Sequence, residues 1–167
     1  QGSSRTSVEF PVTLYKIKNN AFQNCKQLTS IGYTPYLTII EADAFENCYV
    51  LTDLDFKNTT VSSIGARAFR YAGLRAHIEF PSTLKSIGMY AFTYTGLSSV
   101  EIPSGVTSIG AYCFYQNEKL TSAVVPASVT TIEKCAFAEC PELTIKGESG
   151  STAETYAESE KINFEEN

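Results

Sequence analysis

A chain of 167 residues with 43% apolar and 19% charged residues is long enough to bury a core and falls in the size range of one domain. Its net charge of −5, with Lys and Arg scattered rather than clustered, argues against a nucleic-acid partner, which needs a positive phosphate-binding surface. No apolar run is long enough to span a membrane and no basic-then-apolar leader is visible, so neither membrane insertion nor a signal peptide is predicted in this segment; with one His and no C-x-x-C, the five Cys lack the usual zinc set.

Residues 1–6, QGSSRT, read as a disordered start, and Val8-Glu9-Phe10-Pro11 as a strand without a coil before it. A repeat then runs through the chain. Leu28, Leu51, Leu74, Leu97, Leu120 and Leu143 follow one another at 23 residues. Phe22, Phe45, Phe69, Phe92, Phe114 and Phe137 keep that period within one residue, and Ile17, Ile40, Ile64, Ile87, Ile109 and Ile132 precede them by five. Pro11, Pro35, Pro81, Pro103 and Pro126 mark another fixed point.

The clearest unit is LSSVEIPSGVTSIGAYCFYQNEKL, residues 97–120. Alternation in LSSVEI predicts a strand with one buried face, which Pro103 ends because it cannot donate to a ladder. VTSIG predicts a second short strand, and AYCFYQNEKL a single helical or 3-10 turn that drops Phe114 and Leu120 into the core. One unit cannot bury its apolar face alone. Copies must stack, each strand pairing in parallel with its equivalent in the next coil.

The tail follows different rules. Ser151 and Glu154 fit a capping box, with Ala153, Tyr156 and Ala157 as an apolar stripe, so a helix is predicted over about 152–160. Ile162 and Phe164 then return as a final strand that covers the open sheet edge.

The spacing Leu-x-x-Val/Ile-x-Ile/Phe-Pro, followed by Val/Leu-x-x-Ile-Gly/Glu-x-x-Ala/Cys-Phe, resembles the BspA-like class of leucine-rich repeat proteins over about residues 7–146. LSSVEIPSGVTSIGAYCF and IEKCAFAECPEL carry the likeness, and the tail from Lys146 is similar to the closing segment of such arrays. The expected fold is an α/β repeat solenoid: a right-handed leucine-rich repeat array with a parallel sheet of short strands, a 23-residue period, six to seven coils over 7–146 and a C-terminal helical cap over 147–167. The resemblance implies a bacterial extracellular or cell-surface protein used for adhesion or host-protein binding, with no catalytic residues to carry over. Two copies depart from the pattern: AFRYAGL (68–74) and AFTYTGL (91–97) are one residue shorter after Phe and place Gly before Leu, while an inserted Tyr-Thr blurs residues 31–40.

Alternation assigns the outward sheet face. One column runs Glu9, Gly32, Asp55, Glu79, Glu101, Val124, Lys146, and a second Ser7, Ser30, Asp53, His77, Ser99, Ser122, Thr144. They bring Asp53, Asp55, His77, Glu79 and Glu101 into an acidic patch, which reads as a solvated face or a partner-binding surface; no calcium loop accompanies it. Tyr71 and Tyr94 share one repeat position and Tyr90 and Tyr112 another, with Tyr115 nearby, so an aromatic cluster away from the sheet is the other candidate, set against partial burial between coils.

A Ser/His/Asp site would have to use His77 with Asp53 or Ser99, without a nucleophile elbow, and every Cys lies in the turn segment far from His77. Cys25, Cys48 and Cys140 stand three residues after the repeat Phe, where stacked side chains run parallel and bridge poorly; buried free thiols are expected. The functional expectation is a non-enzymatic module, without cofactor or metal, that binds a protein or glycan partner, host-derived in some members. The alternative is a spacer with no ligand of its own.

Overall fold

The computed structural model describes residues 6–32, 34–52, 54 and 56–167. In chain order the strands are β1 (Thr6–Val8), β2 (Lys16–Ile17), β3 (Leu28–Ile31), β4 (Ile39–Ile40), β5 (Ser63–Ile64), β6 (Arg75–Glu79) and β7 (Ser86–Ile87). They continue with β8 (Gly96–Glu101), β9 (Ser108–Ile109), β10 (Ser122–Val124), β11 (Thr131–Ile132) and β12 (Thr144–Gly147), then helix α1 (Thr152–Glu160) and β13 (Asn163–Glu166). The disordered start expected for 1–6 falls on residues outside the described ones, except that Thr6 already opens β1.

The strands form two rows of a parallel β-solenoid. The main row contains β6-β8-β10-β12-β13 and, nearer the start, the pair β1-β3; the second row runs β2-β4-β5-β7-β9-β11. Every pairing is parallel, and equivalent residues face each other, as in Ser122 with Ser99 and Thr144, or Ile40 with Ile17 and Ile64. Alternation fixes this register: Ile78, Val100, Ala123 and Ile145 are buried between the rows while Glu79 and Glu101 face out, and a slip of one residue would reverse them.

Between the rows the six repeat Phe rings form one stack, with centroids 5.1–5.5 Å apart and planes within 11° of parallel. Phe10, Phe56 and Phe80 meet this stack edge-on, at 5.5 Å from Phe22, Phe69 and Phe92 respectively. Farther along, Ile102 and Val125 fill the corresponding place.

The segments that carry the Phe residues are not helical. The residues two before and two after each Phe have positive φ, from Asn20 (60°) and Asn24 (62°) in the first coil to Cys135 (56°) and Glu139 (58°) in the last. Left-handed residues cannot continue a right-handed turn, so the expected helical or 3-10 turn is replaced by a zigzag of tight turns. Alternate N–H groups close turns within the coil, as Ala21 to Lys18 and Gln23 to Asn20, while the others point one way: those of Asn20, Phe22 and Asn24 donate to the carbonyls of Ala42, Ala44 and Glu46 in the following coil. The pattern holds through Tyr112, Phe114 and Gln116, which donate to Lys134, Ala136 and Ala138.

The last coil has no coil beyond it in the described chain, and α1 occupies that place. Ser151 accepts from the Glu154 N–H as N-cap, and Lys161 closes the helix in a left-handed conformation. Tyr156 lays its ring edge-on to Phe137 at 6.1 Å, and its hydroxyl accepts the Phe137 N–H at 3.1 Å. The helix thus satisfies the donor that in every earlier coil finds a carbonyl. β13 then pairs with β12 and ends the main row.

Candidate binding surface

The solenoid offers two candidate faces. On the main sheet, the register places Glu79 beside Glu101 and His77 beside Ser99, and continues the columns to Val124 and Lys146 and to Ser122 and Thr144. Asp53 and Asp55 lie outside the described residues. The remainder is less acidic than the sequence implies, because the Lys57 ammonium sits 2.7 Å from Glu79. His77 Nδ1 and Ser99 Oγ are 2.9 Å apart on the open face, but the backbone around Ser99 is held in the ladder between β6 and β10. Among the described residues, none there aims N–H donors at a reacting oxygen.

Tyrosines dominate the turn face. Tyr71 and Tyr94 stack at 4.5 Å; Tyr94 meets Tyr115 edge-on at 6.0 Å; Tyr115 meets Tyr112 at 5.5 Å; and Tyr112 stacks on Tyr90 at 4.8 Å, within 5° of parallel. All four residues predicted for this cluster are therefore brought together, and Tyr115 joins the two stacked pairs. Burial between the rings, then the neighbouring Tyr71, raises the Tyr94 phenol above its usual range. Tyr112 is raised mainly by its hydrogen bond to Cys135.

The backbone gives this cluster its weight. Tyr71, Tyr90, Tyr94 and Tyr112 all stand at the left-handed positions flanking the repeat Phe, with φ of 55–58°. In the Phe22 and Phe45 coils the same positions hold Asn20, Asn24, Asp43 and Asn47, the residue types that tolerate this conformation best. A bulky aromatic residue there costs on the order of 1 kcal/mol or more.

Ion pairs border the cluster. Asp43 receives Arg67 Nε and Nη2 at 2.6 and 3.0 Å, which raises the Arg67 pKa, and Glu46 holds Arg70 at 2.6 Å with its guanidinium 5.5 Å from the Tyr71 ring centre. These partners, and Tyr49 with Met89 on the exposed flanks, escaped the sequence reading. The one available signal was their spacing from the repeat Phe. All five Cys are free thiols, and burial pushes Cys48 up to about 12 and Cys140 up to about 11. Such thiols are poor nucleophiles. Among the described residues no three metal-ligating side chains are grouped, and no helix is long and apolar enough to cross a membrane.

Comparison with known proteins agrees with this architecture. Several solved structures are similar, these three among them. A leucine-rich repeat protein from Bacteroides ovatus ATCC 8483 is 24% identical with a TM-score of 0.65, over 86% of this chain and 48% of its own. One from Eubacterium ventriosum ATCC 27560 is 28% identical with a TM-score of 0.61, over 86% and 38%. A leucine rich cell surface protein from Faecalibacterium prausnitzii A2-165 is 25% identical with a TM-score of 0.54, over 87% and 48%. The chain spans less than half the length of each. No curated protein matches. The model of the BspA type leucine rich repeat region matches residues 1–84 and 39–157 in six copies, and with the stacked Phe coils it places the chain in the BspA-type leucine-rich repeat family.

Proposed function

We propose that this chain is a non-enzymatic binding module of a bacterial secreted or cell-surface protein, and that it recognises a protein or glycan partner through the tyrosine-bearing turn face. The observation that carries the reading is the placement of four Tyr in left-handed positions that hold Asn and Asp in the Phe22 and Phe45 coils and Arg67, Gln116, Cys135 and Glu139 elsewhere. Backbone strain of this kind persists where it serves a site, and Tyr supplies contact area with a polar tip. The cell-surface name of the Faecalibacterium prausnitzii protein supports the location. The sheet face is the weaker candidate, since Lys57 offsets Glu79.

The test exploits the strain. Replacing Tyr71, Tyr94 and Tyr112 by Asn removes the rings but eases the backbone, so the melting temperature should move by only a few degrees. Capture of panels of purified extracellular-matrix proteins and glycans should be lost in this variant and kept in Glu79→Lys/Glu101→Lys. A wild-type chain that captures neither class is a spacer, which overturns the proposal; capture that survives loss of the three rings removes the turn face from it.

A further inference from the structure

The two short coils do more than perturb the repeat. Between Phe and Leu, the Phe69 and Phe92 coils are one residue shorter than the Phe45 and Phe114 coils on either side. The missing residue brings backbones together: a Cβ added at Gly73 would lie 2.3 Å from the Tyr49 carbonyl oxygen, and one at Gly96 would lie 3.1 Å from that of Leu74. The result is a shallow recess of about 330 Å³ where the turn face meets the start of β6 and β8. Gly73 and Gly96 are among its lining residues, and the long coils contribute Tyr49 and Lys119, the first and last of them along the array. These two are three coils apart, about 14 Å at ~4.8 Å per coil.

We propose that this recess binds a carboxylated sugar ring of an acidic glycan, an inference that rests on the binding-module reading above. Two observations select the ligand class. The first is charge. Arg75 and Lys119 both line the recess and no carboxylate does. Lys16, Lys57, Arg67, Arg70 and Lys146 are each held by an acidic partner; Arg75 and Lys119, like Lys18, Lys26, Lys85, Lys134 and Lys161, belong to none of the ion pairs among the described residues, and what sets these two apart is the recess they share. On a chain of net charge −5, two cations lining one recess that holds no carboxylate favour an anion, and Arg offers a carboxylate two parallel donors.

The second is the aromatic wall. Tyr49 and Tyr94 are 49% and 40% exposed, and with Tyr71 they line the same recess. Flat rings with hydroxyl tips suit the C–H faces and hydroxyls of a sugar ring. A peptide partner would need an apolar anchor pocket, whereas no Leu, Ile, Val, Met or Phe lines this recess. The volume, at the small end for ligand sites, holds one or two pyranose rings.

Calorimetric titration of the full chain with 3′-sialyllactose, trigalacturonate and lactose tests this, with capture of purified matrix proteins measured in parallel. At least one acidic sugar should bind ten-fold or more tightly than lactose, and the pair of acids separates a sialic acid from a uronic acid source. Arg75→Gln with Lys119→Gln, both at exposed positions, should lower that affinity at least ten-fold towards the lactose value and leave the melting temperature unchanged. Lactose binding as tightly as the acids, an unaltered double variant, or no sugar binding at all overturns the inference. Matrix-protein capture that depends on the Tyr rings, without sugar binding, overturns the glycan assignment alone; silence in both arms overturns the binding-module reading with it.

Discussion

The Cys48 thiol donates to the Phe22 carbonyl at 3.1 Å, and Cys140 does the same to Phe114 at 3.3 Å. Asn117 holds the equivalent place in the Phe114 coil: its amide donates to Phe92 and Phe114, each at 2.8 Å, and accepts the Thr95 hydroxyl at 2.6 Å. At these three positions, all in the longer coils, the column holds a compact donor that reaches the carbonyl of the preceding coil's Phe, whereas in the short coils Ala72 offers none and Thr95 donates to Phe92 of its own coil. Its recurrence was legible in the spacing of Cys25, Cys48 and Cys140. The donor role was not, because it depends on which carbonyls the turn leaves exposed to the next coil. Asn117→Ala leaves buried acceptors without that donor and should cost roughly 2–4 kcal/mol in chemical denaturation, whereas Asn117→Cys should cost less than half as much.

Strands and turn segments differ in how plainly the sequence announces them. The strands were readable because burial obeys a period of two, and the cap because Ser151 and Glu154 are three residues apart; the Glu154 carboxylate receives the Gly150 N–H at 2.6 Å. The turn segments were misread as helical. Asn and Asp at positions 20, 24, 43 and 47 carry the left-handed signal, but Arg67, the tyrosines and Gln116 hide it in later coils, where stacking and hydrogen bonds between coils override local preference. At the capped end, one hydroxyl closes the turn column, so Tyr156→Phe isolates its contribution: it keeps the ring on Phe137 and deprives a buried N–H of its acceptor. Denaturant unfolding should show a loss of about 1–3 kcal/mol, with faster amide exchange at Phe137.

Over the whole molecule, coils touch only their neighbours, so stability is close to a sum along the array. The one-residue deletions after Phe69 and Phe92 were visible as irregularities of the repeat. That they open a recess was not, since this follows from the long coils standing on either side. Burial raises several ionisable groups together: Cys48 and Tyr156 to about 12, Cys140 to about 11, and Cys113 further still. Unfolded thiols lose their protons near pH 9 while these keep theirs, so the unfolded chain gains from ionisation that the fold resists. Stability should be level up to about pH 8.5 and fall as pH rises from 9 towards 12, with a slope of about 1.4 kcal/mol per unit for each such group. Melting curves across that range check this, and Cys48→Ala should make the slope shallower.

The one-way hydrogen bonding of the turn segments makes the array electrically directional. In the strand rows, successive peptide groups alternate and their dipoles largely cancel. Along the Phe zigzag, the peptides that bond to the next coil point their N–H groups forward and their C=O groups back, so their dipoles add over six coils as they do in a helix. The first coil is thus the negative pole, with the carbonyls of Asn19, Ala21 and Gln23 facing backwards, and the last coil is the positive pole. Glu139, Glu142 and Glu160 outnumber Lys161 around that positive pole, the arrangement in which side-chain charge and backbone field favour each other.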